Sequence, residues 1–305
     1  MVLRHSAPAP SPGPLAAPYA MLRPSLVTLV GLLALLAATA SPAGYHARTT
    51  MIEIDGAPAP VDVFEPDAGP PVGVAIVAHG WTRSREQHRD AGRALAEAGI
   101  VAVIPDLPNV MDLWGNGSAI VDLVRRLESG ALGLPPVLPS SLVLIGTSAG
   151  GLATLIAASK LPDIAGWIGL DPVDRSGMGL YAASNLGTPA IVLLGGSSAC
   201  NLFGSGRSLA QAVPRLVRSK KIDGASHCDF ESPTNRVCTT FCGGASRDKQ
   251  IEAQNETVLA ALELLTASHN GHAAAAAPAI PVPVDDGSPA SESAETLPLR
   301  NAPGD

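Results

Sequence analysis

The chain has 305 residues, 46% of them hydrophobic and 15% charged, which excludes a disordered polymer and leaves enough apolar surface for a sizeable core. With 20 Lys and Arg against 27 Asp and Glu, the net charge is −7 and there is no basic run, which argues against nucleic acid as a partner. Glycine (31) and proline (28) are frequent and aromatics scarce at 3%, a turn-rich composition with no collagen period and no internal repeat.

Residues 1–20 are Pro/Ala-rich and read as a disordered N-terminal extension. From Met21 the pattern changes: Arg23 precedes an apolar run from Leu26 to Ala38, and Ala38-Thr39-Ala40 follows. A basic start, a short apolar stretch and an A-x-A-like site predict a secretory signal peptide over 21–43. The run is shorter than the roughly 20 residues of a membrane-spanning helix. The expected location is therefore secreted or periplasmic, with no stable membrane insertion after cleavage; an uncleaved membrane anchor is the alternative. Signals begin close to an initiator, so Met21 is a candidate start.

Met51–Ile54 and Val61–Phe64 read as a hairpin at a sheet edge. Then strand and helix signals alternate. Val72–Ala78, Ile100–Ile104, Ser141–Ile145, Ala165–Leu170 and Pro189–Leu194 are continuous apolar runs. Between them, 86–98 and 118–127 have helical composition or spacing, with His88 on a surface helix. A closing amphipathic helix over about 247–266 carries Ile251, Val258, Leu262 and Leu265. Apolar strands separated by helices predict an α/β fold with a mostly parallel central sheet and helices on both faces. From about Ser268 the sequence is Ala/Pro/Ser-rich without a period and reads as a disordered tail over 268–305. That leaves one domain, roughly 44–267.

The four cysteines, Cys200, Cys228, Cys238 and Cys242, all lie late in that domain. An even number in an exported chain predicts two disulfides, with three connectivities open. Cys238 and Cys242 have CxxxC spacing, but no second pair completes a zinc pattern.

In a parallel sheet the chemistry lies beyond the carboxyl ends of the strands. Gly146-Thr147-Ser148-Ala149-Gly150 matches G-x-S-x-G between a strand and an Ala-rich helix, the setting of a nucleophile elbow. The turn is too tight for flanking side chains, and the helix N-terminus aims free amides at developing negative charge. Ser148 is the candidate nucleophile. An alcohol needs a base, and His227, after a short strand signal, is the candidate; the other histidines lie in the ends or in less apt positions. Asp171 ends the strand 165–170 and is the candidate acid, with Asp174 as runner-up, because the strand 189–194 ends in Gly195-Gly196-Ser197-Ser198 without a carboxylate. Ser, acid, His is the chain order of the α/β-hydrolase triad. His79-Gly80-Trp81 ends the strand 72–78, so the backbone amides of Trp81 and Ala149 are the candidate oxyanion hole. The Trp81 ring either walls the substrate cleft or packs in the core. His79 is expected to hydrogen-bond nearby loops, and Asp106 to be structural. No cofactor and no metal is implied.

The segments His79-Gly80-Trp81, Gly146–Gly150, Gly169-Leu170-Asp171-Pro172-Val173-Asp174 and Ser226-His227-Cys228-Asp229-Phe230 together resemble the α/β-hydrolase superfamily over roughly 50–266. The GLDPVD segment resembles the chlorophyllase and bacterial dienelactone-hydrolase-like branch, in which the first Asp of that segment is the triad acid; this implies Asp171. The HG-aromatic strand end resembles that of bacterial cutinases. Thr147 stands where such families often have His, and Ala149 where chlorophyllases have Arg, so chlorophyllase specificity is not implied. Ser148 replaces the Cys of dienelactone hydrolases proper.

The expected function is that of a secreted serine carboxylic-ester hydrolase on an α/β-hydrolase fold, working through an acyl-enzyme as a monomer on a small-molecule or exposed polymeric ester. The stretch between Asp171 and Pro189 is too short for a lid domain, which predicts an open, shallow site. A peptidase or amidase on the same fold, or a non-catalytic binding protein, are the alternatives.

Overall fold

The computed structural model describes residues 44–54 and 56–276. The sequence expectations for the extension 1–20, for the signal segment 21–43 and for most of the tail lie outside the described residues. No helix among the described residues is long and apolar enough to cross a membrane.

The domain is α/β: an eight-stranded sheet in the order β1-β2-β4-β3-β5-β6-β7-β8, with seven α-helices among the described residues. β1 (Tyr45–Ile54) and β2 (Ala57–Pro66) form an antiparallel hairpin through Gly56, whose φ of +75° a side chain would resist. β2 pairs antiparallel with β4 (Ile100–Pro105). β3 (Gly73–Ala78), β4, β5 (Leu142–Thr147), β6 (Gly166–Leu170), β7 (Ala190–Leu194) and β8 (Leu216–Lys221) pair in parallel. The hairpin strands are longer than the apolar residues alone indicated.

The apolar runs are continuous because each strand feeds two cores. Val74, Ile76, Val101, Val103, Leu142 and Leu144 enter one core; their neighbours Ala75, Val77, Ala102, Ile104, Val143 and Ile145 enter the other. The first core is covered by α2 (Leu113–Glu128), α3 (Ala149–Ala158), α4 (Met178–Ser184) and α5 (Gly206–Ala212). The second is covered by α1 (Arg89–Glu97) and α7 (Arg247–Ala276), while α6 (Arg236–Phe241) lies between them in sequence. Gly73 and Gly166 admit the α7 leucines: a Cβ on either would stand 2.6 Å from Leu265 or 2.8 Å from Leu264.

Several elements depart from the sequence expectation. α2 begins at Leu113, not Ser118, because the Asp112 carboxylate accepts the Gly115 amide at 2.8 Å and Leu113 is buried. His88 is buried: residues Arg85–His88 form a 3-10 turn ahead of α1, which rotates the ring inward. On α7, Ile251 is exposed and the sheet-facing side is carried by Ala253, Ala260, Ala261, Leu264 and Leu265, since small residues let the helix approach. α7 also runs to Ala276, past the end near 266, because alanines sustain a helix without any apolar period. β8 is a polar edge strand whose Arg218 and Lys220 bond Glu256 and Glu263 of α7.

Candidate active site

Ser148 joins β5 to α3 with φ 56° and ψ −121°, a strained conformation for a side-chain-bearing residue. Its neighbours explain how that is possible. A Cβ on Gly146 would strike the Gly150 carbonyl, and one on Gly150 would strike the carbonyls of Ala78 and His79. The turn is held by the Ser148 amide on the Leu170 carbonyl at 3.0 Å and by the Val173 amide on the Ser148 carbonyl at 3.3 Å. Ser148 is therefore a sharp strand-to-helix corner, and its side chain makes no capping hydrogen bond.

Asp171 follows β6, also at positive φ (43°), and is almost wholly buried. Its carboxylate is surrounded by donors. Oδ1 accepts the Gly195 amide at 3.0 Å; Oδ2 accepts the Asn201 side-chain amide at 2.9 Å and His227 Nδ1 at 2.6 Å. A carboxylate only accepts, so Nδ1 carries the proton and Nε2 is left as the basic nitrogen. The runner-up acid does other work: Asp174 Oδ1 accepts the Gly179 amide at 2.7 Å and ties down the start of α4.

His227 opens a 3-10 turn, His227–Phe230, capped by the Ser226 side chain. Asp229 braces that turn, accepting the amides of Ser226 and Ser246 at 2.7 Å each. Thr147 Oγ donates to the Phe230 carbonyl at 3.4 Å, linking the Ser148 corner to the His227 turn. Two disulfides are present, Cys228–Cys238 and Cys200–Cys242, as the even cysteine count predicted. They place the CxxxC pair Cys238 and Cys242 in disulfides rather than leaving thiolates for zinc, and they fit a protein of an oxidising compartment. Cys238 lies within α6 and Cys242 directly follows it, so this short helix is tied to the residue after His227 and to the residue before Asn201.

Ser148, His227, Trp81 and Ala149 line one open cavity of about 780 Å³. Among the hydrogen bonds of the described residues, none joins the Ser148 hydroxyl to the His227 ring. The backbone amides of Trp81 and Ala149 have no acceptor among the described residues. The Trp81 ring is 56% exposed and belongs to the cavity wall, not the core. Met111, Leu202, Val237 and Phe241 give the rest of the rim an apolar, exposed character.

His79 has both ring nitrogens engaged, Nδ1 with the Gly80 carbonyl and Nε2 accepting the Leu107 amide, each at 2.9 Å. Burial holds it below the ordinary histidine range, so it serves as a neutral loop tie. Asp106 accepts the Arg85 amide at 2.7 Å and its guanidinium at 2.6 Å, the structural role expected of it.

Three participants were not anticipated. Asn201 donates its side-chain amide to the Asp171 carboxylate. Arg83 and Glu231 form a buried pair at 2.9 Å in the cavity floor, where burial pushes the Glu231 carboxyl up against the opposing pull of Arg83 and of a charged His227. A capping pattern, Ser198 to Asn201, was readable in sequence, but it signals a turn and not the loop's return onto Asp171.

Comparison with family models and with curated proteins gave no match to the chain.

Proposed function

We propose that the chain is an exported serine hydrolase of the carboxylic-ester type, built on an α/β-hydrolase fold. The observation that carries this reading is the 2.6 Å contact between His227 Nδ1 and Asp171, beside the cavity that Ser148 also lines. His227 takes the Ser148 proton through Nε2 as the oxygen attacks an ester carbonyl. Asp171 holds the ring in the productive tautomer and stabilises its charged form. The Trp81 and Ala149 amides receive the oxyanion, each contributing roughly 3 kcal/mol. His227 then protonates the leaving alcohol, and water releases the acyl group from Ser148.

The cavity supports esters with an apolar part. Its rim of Trp81, Met111, Val237 and Phe241 offers apolar surface but little hydrogen bonding to a long polar backbone. The one helix between Asp171 and β7 is the seven-residue α4, which leaves the mouth open to the end of a larger molecule. The test is hydrolysis of p-nitrophenyl esters of graded chain length. Wild type is expected to turn over a subset of them, and Ser148→Ala to lose at least about 10³-fold in kcat. Turnover undiminished in Ser148→Ala, or hydrolysis of peptide anilides in preference to every ester, would remove the ester reading.

A further inference from the structure

We infer that Asn201 is the positioning residue of the acid: its side-chain amide fixes the Asp171 oxygen that also receives His227 Nδ1. The inference rests on the proposed triad and adds a member to it that acts through Asp171.

The geometry is specific. Asn201 is fully buried, and each end of its carboxamide is used. Oδ1 accepts the amides of Ser198 and Gly204, each at 2.9 Å. Nδ2 donates to the Gly196 carbonyl at 2.7 Å and to Asp171 Oδ2 at 2.9 Å. The acceptor end thus fastens the residue to its own loop, and the donor end is carried onto the acid. The orientation is chemically forced, because a flipped amide would set an oxygen against both Asp171 Oδ2 and the Gly196 carbonyl.

Two features make this more than a loop contact. Asp171 Oδ1 is already held by the Gly195 amide, so Asn201 is the second protein donor, besides His227, on the other oxygen. A carboxylate held by fixed donors on both oxygens cannot rotate, and the imidazole direction follows from it. The neighbouring Cys200 is also bonded to Cys242, which ties the loop covalently to the residue after α6. The strand β7 carries no acid at its end, and the loop leaving it supplies an amide donor to the acid of the strand before.

The clamp and a simple loop-fastening role differ in what they move. Asn201→Asp keeps an oxygen for the Ser198 and Gly204 amides and removes the donor to Asp171 and to the Gly196 carbonyl, setting an oxygen that repels Asp171 in its place when ionised. Asn201→Ala removes both ends. Neither change removes a partner of the Arg83–Glu231 pair. With the donor gone, kcat falls about 10–100-fold, the effect of one hydrogen bond to a charged group, while KM stays within about twofold. The acid limb of the kcat profile moves to higher pH in both variants, because the Asp171 charge then acts undiluted on the imidazolium. In the wild-type chain, without any substitution, the Asn201 side-chain amide signals in NMR shift in step with the titration of the His227 ring.

Variants with native circular dichroism and an unaltered kcat profile overturn the inference, and so do Asn201 amide signals that stay still while His227 titrates. The wild-type NMR measurement decides the matter even if neither variant folds. A wild type that cleaves no ester while its Asn201 signals track His227 would retire the ester reading and leave the clamp standing; an active wild type with silent Asn201 signals would do the reverse.

Discussion

His227 Nδ1 lies 2.6 Å from Asp171 Oδ2, although 56 residues of chain separate them and two helices and two strands intervene, α4, β7, α5 and β8. Both side chains are almost wholly buried, so the contact is shielded from competing water. A charge-assisted bond of this length fixes a tautomer. Replacing Asp171 by Asn keeps the shape and presents an amide where a carboxylate was. The expected result is a loss of kcat on the order of 10³–10⁴-fold with little change in KM, measured on a p-nitrophenyl ester the wild type turns over. A loss smaller than about tenfold would mean that the ring is oriented by something else.

Trp81 is asked for two separable things, its backbone amide and its ring. Trp81→Ala removes the ring and keeps the amide. The expected outcome is near-normal kcat on an acetate ester and a rise in KM of about tenfold on esters with long apolar chains, the scale of a few lost methylene contacts. An equal fall in kcat on every ester would instead place the ring among the groups that shape the oxyanion site.

The Cys228–Cys238 disulfide begins one residue after His227 and closes a loop of sequence separation 10. Replacing both cysteines by serine, with Cys200–Cys242 retained, is expected to cost about 2–3 kcal/mol in chemical unfolding. Activity should fall further than stability predicts at temperatures where the fold is intact, because the His227 turn loses its nearest covalent brace. Unchanged activity below the unfolding transition would show that Asp229 and Ser226 alone hold the turn.

His88 is buried with neither ring nitrogen hydrogen-bonded among the described residues, and burial, assisted by His79 and Arg83, pushes it down to about 3. The unfolded chain binds that proton from about pH 6.5 downward. Between those values the unfolded state takes up more protons than the folded one, so stability is lost as pH falls through this window and levels off below it. At pH 5 the loss is about 2 kcal/mol. His88→Leu should therefore gain about 2 kcal/mol on the wild type between pH 7 and pH 5 in urea unfolding. Parallel curves for the two proteins would contradict this.

Much of the sheet was readable because its strands obey a local rule. Runs such as Val74–Ala78 and Leu142–Ile145 are apolar at every position, and only burial on both faces tolerates that. Ser148 was readable for the same reason, since its glycine neighbours leave a signature within five residues. What escaped notice depends on distance. Asn201 and Glu231 owe their places to loops that fold back from separate strands; the capping pattern from Ser198 to Asn201 marks a turn and not the contact with Asp171, and Glu231 has no motif. β8 escaped a full reading because an edge strand pairs through its backbone while Arg218 and Lys220 stay polar. His88 was misplaced because a 3-10 turn and an α-helix share composition but not rotation. The cysteine count gave two bridges; only the fold decides which of three pairings is made.

Reaction with a fluorophosphonate tests the central claim most directly, because it asks for an activated serine and needs no knowledge of the natural ester. One adduct per chain, mapped by peptide mass to Ser148 and lost in Ser148→Ala, is the predicted result, with much slower labelling in His227→Ala. Folded wild-type protein that takes up no reagent, or carries it on another residue, would contradict the proposed chemistry.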